Sequence, residues 1–150
     1  MIQRAILDAA SRIDGLLRRE PVVWLSSVRP DGRPHVVPIW FSWDGERLFI
    51  ASKPDARKVR NMRENPRVML ALGDAEDDFD VGLIEADAEI PEVPTAELMP
   101  RDHLSKYGDQ LARIGIDADE YARTYSQPII LRPTKFLPWH GRSIPASAVA

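Results

Sequence analysis

The chain of 150 residues has no cysteine and only three histidines, His35, His103 and His140. Without cysteine there is no disulfide framework and no thiolate chemistry, which suits a cytoplasmic protein. The histidines are scattered, none with a partner at the i, i+4 spacing of a helical metal site, so no metal is expected. No apolar run approaches the ~20 residues that cross a bilayer, so no membrane association is expected. Arg4, Asp8 and Arg12 interrupt the apolar residues of the N-terminus and exclude a signal-peptide core. A net charge of −3 excludes a surface that is basic throughout, and with it nucleic-acid binding of that kind. It leaves room for one anionic ligand in one basic pocket. There is no GxGxxG, no GxxxxGK[ST] and no GxSxG. Carboxylate pairs such as Asp77 and Asp78 lie in the polar run 74–80, where nothing would raise a pKa, so glycosidase-like chemistry has no support. No general acid, base or nucleophile stands out. If the chain is an enzyme, a cofactor carries the chemistry.

What is present reads as one domain over residues 1–150, with a small, featureless and frayed tail at 143–150. Ile2, Ile6, Ile13, Leu16 and Leu17 recur at helical spacing, predicting an amphipathic helix that lays one face on a core and stops at Pro21. Residues 22–28, 35–42 and 47–51 read as three strands, joined by turns at Pro30-Asp31-Gly32 and Asp44-Gly45. Together they predict an antiparallel meander, with Pro38 marking an edge or a bulge. Residues 54–65 read as a helix whose cap is Ser52 or Asp55, with Pro54 in its first turn. Strands are predicted at 68–72, at 84–90 and at 128–136, with 74–80 a solvated loop. In the second of these, Ile84, Ala86, Ala88 and Ile90 face inward. Helical segments at 95–107 and 117–125 are joined through 108–115. The count is about six strands with short helices around one core.

The stretch 52–67 stands apart. It carries six basic residues, Lys53, Arg57, Lys58, Arg60, Arg63 and Arg67, against Asp55 and Glu64. Lys53, Arg57 and Arg60 would share one helix face, and Lys58 lies about 100° round from Arg57. A helix start favours phosphate through its free N–H groups and its partial positive charge, and the Ser52 hydroxyl at the preceding strand end adds a donor. Composition alone reads such a run first as a solvated face. Of the four tryptophans, Trp24 and Trp40 read as core before they read as a ligand wall. Trp139, near the C-terminus, fits a place across a ligand or a neighbouring subunit. His35 and His103 read as surface or satisfied polar residues.

The hairpin PDGRPHVVP and the block SKPDARKVRNMRENPRV together resemble the pyridoxamine 5′-phosphate oxidase-like split-barrel superfamily, and more narrowly its small F420- or FMN-dependent oxidoreductases. The resemblance covers residues 5–90 well and the last strand loosely. It implies a mainly β fold with short helices, a six-stranded antiparallel Greek-key split β-barrel, and a homodimer with cofactor sites at the subunit interface. It implies that Ser52, Arg57 and Lys58 grip the cofactor phosphate, and that the backbone of Val37, Pro38, Ile39 and Trp40 borders a flavin-type ring. Asn61 and Met62 match packing positions of the same helix, and Trp139 and Arg142 resemble a C-terminal pair. Coenzyme F420, with its carboxylate-rich tail, would use the further cations Lys53 and Arg60, which favours it over FMN. The function implied is hydride transfer to or from a small organic substrate. The alternative is a non-catalytic flavin, F420 or heme carrier. The residues that bind pyridoxal phosphate in the true oxidase are not seen, which disfavours that activity.

Overall fold

The computed structural model describes residues 2–74 and 80–140. Helix α1 (Ile2–Arg19) leads into β1 (Val23–Val28), β2 (Pro34–Ile39), β3 (Ser42–Trp43) and β4 (Leu48–Ser52). Helix α2 (Arg57–Glu64) and strands β5 (Arg67–Asp74) and β6 (Asp80–Glu89) follow. A helical insert, α3 (Thr95–Leu98), α4 (Arg101–Ile114) and α5 (Ala118–Thr124), then precedes the long β7 (Gln127–His140). All strand pairs are antiparallel, in the order β2-β1-β5-β6-β7-β4-β3. The chain passes from one edge of this sheet to the other between Ile39 and Ser42, a span of at most about 11 Å. Opposite edges of a seven-stranded sheet lie that close only if the sheet is rolled up. The fold is therefore a curled half-barrel. Ile13, Leu16 and Leu17 of α1 pack into the core with Leu25, Phe41 and Ile129.

Several expectations are corrected. Among the described residues there are seven strands, because the run 35–42 breaks at Trp40-Phe41 into β2 and β3. The expected meander forms only as two separate hairpins, β1–β2 and β3–β4, which lie at opposite edges of the sheet, with β4 pairing β7 on its other side. An unbroken apolar run gave no sign of a crossover, although Pro38 does fall on an edge strand as expected. Asp74 and Asp80 are not loop but a cross-strand pair, and Asp80 binds the Arg19 guanidinium at 2.6 Å. Gly73 makes this possible, with φ 113° and the Asp80 carbonyl oxygen where a Cβ would stand. Trp24 is 51% exposed and Ile2 80%, so neither is core. Gly108 lies inside α4, which ends at Gly115 in the left-handed region.

Tyr107 of α4 secures the crossover. Its hydroxyl accepts the Phe41 N–H at 2.8 Å, and its own hydrogen has the Pro21 and Phe41 carbonyl oxygens at 2.7 and 2.8 Å. Its ring stacks on Trp40, with centroids 4.5 Å apart and planes 4° from parallel. One side chain thus fixes both residues that carry the chain between edges.

Beside it, the Lys106 Nζ lies 3.6 Å from the Phe41 ring centroid and has no hydrogen-bond partner among the described residues. Burial pushes its pKa down to about 8, against a smaller upward pull from Glu20. From pH 8 to 10 the unfolded chain therefore holds a proton that the folded chain has lost. Stability should rise with pH there, by at most about 1 kcal/mol per pH unit. Above that window Tyr107, raised by burial to about 12, reverses the trend, because the unfolded phenol ionises first. Lys106→Met should abolish the rise in urea denaturation run between pH 7.5 and 9.5. The same slope in the variant would contradict this assignment.

Candidate functional site: a cavity between the crossover and the basic helix

Helix α2 is shorter than the sequence predicts. Pro54 and Asp55 form a turn, Ala56 is the N-cap position, and no side chain caps the helix or places an acid in its first turn. Neither Ser52 nor Asp55 caps it. The helix is held by Val59 and Met62 in the core and by buried Asn61, whose amide donates to the Ser27 hydroxyl at 3.0 Å. The packing positions Asn61 and Met62 are thus as expected. This seating turns the side of α2 that carries Lys58 towards β2.

A cavity of about 340 Å³ opens there. Pro38, Ile39 and Trp40 form one wall, Lys53 and Lys58 another, and Tyr121 and Tyr125 of the helical insert a third. The structure therefore gathers five of the expected site residues around one space. Val37 is half-buried on β2, next to it in sequence. Arg57 and Arg60 are exposed on α2 and do not line the cavity. Ser52 is 1% exposed, and its hydroxyl donates to the Lys53 carbonyl at 3.0 Å, so it faces its own chain. Trp139 lies twelve residues along β7 from Gln127, the partner of Ser52, which is about 40 Å of strand. Within one chain it does not reach the cavity. Arg142 and the tail 143–150 lie outside the described residues.

The electrostatics beside the cavity are one-sided. Burial lowers the Lys58 pKa, and no ion pair to it is present among the described residues. His35, across from Ser27 on β2, is lowered first by burial and then by Arg57, Lys58 and Arg29. The expectation that His35 is surface or satisfied fails: its Nδ1 is buried without a hydrogen-bond partner among the described residues, as is the Nε of Arg29. Asp31 Oδ1, 3.7 Å from the Arg29 Nε, partly offsets the cluster. Donors and cations in excess of acceptors are the chemistry of an anion site. Sequence reasoning missed Arg29 and His35. Both belong to the β1–β2 hairpin, and only the docking of α2 on β1 brings them to Arg57 and Lys58.

The aromatic side is more extensive than four tryptophans suggested. Trp40 lies between Tyr107 and Tyr121, 6.2 Å from the latter. His103 is fully buried behind them, held by Ser42 and Tyr121, and burial brings its pKa to about 4. As expected for a satisfied polar residue, it is neutral near pH 7.

A curled antiparallel half-barrel with a helical insert and a cation-edged cavity defines a split-barrel protein. More narrowly, the chain belongs to the pyridoxamine 5′-phosphate oxidase family, whose model matches residues 10–139. A solved structure named F420 reductase is 29% identical, with 82% of this chain and 94% of that one covered and a TM-score of 0.63. The conserved hypothetical protein Rv2991 from Mycobacterium tuberculosis is 24% identical over 88% of this chain and 84% of its own, with a TM-score of 0.68. HutZ, a heme storage protein from Vibrio cholerae, is 20% identical over 87% and 95%, with a TM-score of 0.62. At these identities the latter two show the fold alone. No curated protein matches the chain. No helix among the described residues is long and apolar enough to cross a membrane.

Proposed function

We propose that this protein is an oxidoreductase that holds coenzyme F420, or FMN in its place, in the cavity between β2, α2 and the helical insert. The observation that carries this is Lys58, desolvated at the cavity wall, within a cation cluster in which the His35 Nδ1 and the Arg29 Nε have no hydrogen-bond partner among the described residues. An ionised phosphate would satisfy them, together with the uncapped start of α2. The apolar and aromatic wall of Pro38, Ile39 and Trp40 suits a flat tricyclic ring. When bound, the ring supplies hydride transfer; the protein's own residues bind the phosphate, orient the ring and exclude water. Ser52 supports the Lys53 carbonyl, and Arg57 closes on the phosphate from solvent.

F420 is favoured because Lys53 at the cavity and Arg60 further along α2 add cations for a carboxylate-rich tail. The similar structure named F420 reductase supports the same choice. A heme carrier is disfavoured, since both ring nitrogens of His103 are engaged and His35 stands among cations. Oxidation of pyridoxamine phosphate does not follow from family membership. The test is titration of one cofactor-free sample with F420, followed by deazaflavin fluorescence, and with FMN, followed by flavin absorbance. Binding of either at micromolar concentration is expected, with F420 the tighter. Binding of neither sinks the proposal.

The protein acts as a homodimer in this reading, formed through the outer face of the sheet. Pro38, Trp24, Ala71, Leu83 and Leu137 are cross-strand neighbours in one row over five strands. Trp24 and Val36 on this face are 51% and 57% exposed, a continuous apolar surface of the kind that marks an interface. Trp139, two residues beyond Leu137, points to the same face, which is how it would approach a partner's cavity. Trp24→Asp should convert dimer to monomer in analytical ultracentrifugation. A monomeric wild type, or a dimeric variant, would contradict this.

A further inference from the structure

His103 sits between two regions of the molecule and touches both. Its Nε2 is 2.9 Å from the Tyr121 hydroxyl, and Tyr121 lines the proposed cofactor cavity. Its Nδ1 is 3.1 Å from the Ser42 hydroxyl, and Ser42 lines two other cavities, of about 320 and 420 Å³, on the far side. Asp102 borders both of those cavities as well. The ring is fully buried and Ser42 nearly so, so the hydroxyl–imidazole–hydroxyl chain is sheltered along its length. The Phe49 ring meets His103 edge-on at 5.1 Å and helps to hold its plane.

Such a chain has two arrangements of equal hydrogen-bond count. In one, the Ser42 hydroxyl donates to Nδ1 and Nε2–H donates to the Tyr121 oxygen. In the other, the Tyr121 hydroxyl donates to Nε2 and Nδ1–H donates to Ser42. A neutral imidazole allows both, because each nitrogen can be donor or acceptor. Moving from the first to the second transfers one proton along the chain when Tyr121 releases its own hydrogen into the cavity.

We propose that Ser42, His103 and Tyr121 form a proton relay from the outer cavities to the cofactor cavity, with Tyr121 as the proton donor to the reaction. This rests on the hydride-transfer reading above. A two-electron acceptor that takes a hydride from the reduced cofactor needs one proton to finish as a neutral reduced product. The Tyr121 Oη–H bond breaks to supply it, and Nε2–H of His103 reprotonates the phenolate oxygen. The Ser42 Oγ–H then passes to Nδ1, and water in the outer cavities restores Ser42. Tyr121 touches the reactants; His103 and Ser42 act through it as positioning residues.

The first measurement uses protein without added cofactor. Nitrogen NMR of the His103 ring is expected to show both nitrogens at shifts averaged between two tautomers. Ser42→Ala should collapse this to a single tautomer. The second measurement loads the protein with reduced F420 or FMN and offers dichlorophenolindophenol as acceptor. Tyr121→Phe should lower kcat about a hundredfold with KM nearly unchanged and remove the solvent deuterium isotope effect. Ser42→Ala, the mildest change to the fold, should lower kcat less and reduce the same isotope effect, while Tyr125→Phe should retain it. A wild-type ring locked in one tautomer would overturn the relay, as would Tyr121→Phe and Ser42→Ala proteins with kcat and isotope effect unchanged. Failure of both cofactors to bind would instead overturn the functional reading, leaving the NMR result to judge the relay.

Discussion

Lys58→Met is expected to weaken cofactor binding about ten- to a hundredfold while leaving the cofactor-free protein at least as stable as the wild type. Lys58 is half-buried, its pKa is lowered by burial, and no carboxylate stands against it among the described residues. A cation desolvated without a partner costs folding free energy, so an apolar chain of similar length should relieve that cost. What the lysine offers in return is a charge-assisted bond to phosphate, worth about 1.5–3 kcal/mol. Opposite signs for stability and affinity are the mark of a group kept for binding. Titration with F420 and a thermal melt of the same two samples check both halves. Unchanged affinity, or a melting temperature several degrees lower, would contradict the assignment.

The second large effect concerns Tyr107. Tyr107→Phe keeps the ring stacked on Trp40 but removes the hydroxyl that accepts the Phe41 N–H. Phe41 is fully buried, so its amide would be left without a partner, at a cost of about 2–3 kcal/mol. For a chain of this size that corresponds to a fall in melting temperature of about 5–10 °C. The loss falls on the crossover between the sheet edges, and Trp40 of that crossover forms a cavity wall. Weaker F420 binding should therefore accompany it, even though Tyr107 does not line the cavity. Tyr125→Phe, at the cavity wall without a role in the crossover, should show no comparable thermal loss. Equal melting temperatures for Tyr107→Phe and wild type would show that the crossover does not depend on this bond.

Much of this architecture was legible in residue patterns, and the exceptions have physical causes. The alternation at 84–90 placed Ile84 and Ala86 inward, because a one-residue slip would reverse every side chain. The basic stretch was visible as a local charge excess, and Lys53 and Lys58 reach the cavity together with Pro38, Ile39 and Trp40. Arg29 and His35 were not visible as part of the site. They lie more than twenty residues before Arg57 and are drawn towards it only when Asn61 docks on Ser27. The break between β2 and β3 was hidden for another reason. Trp40 and Phe41 are as apolar as their neighbours, and what interrupts the strand is a tyrosine more than sixty residues later. The helical insert showed helical composition without a destination. That Tyr107 and Tyr121 turn towards the crossover, with His103 between Tyr121 and Ser42, is a property of tertiary packing.

These dependences meet at one space, closed by the crossover on one side and by cations on another. The most direct measurement is a crystal structure of the protein with F420 bound. The expected result places the phosphate within hydrogen-bond distance of the Lys58 Nζ, beside the His35 Nδ1, with the ring along Pro38–Trp40. A cofactor bound with its phosphate away from Lys58, or in the cavities beyond Ser42, would contradict the account.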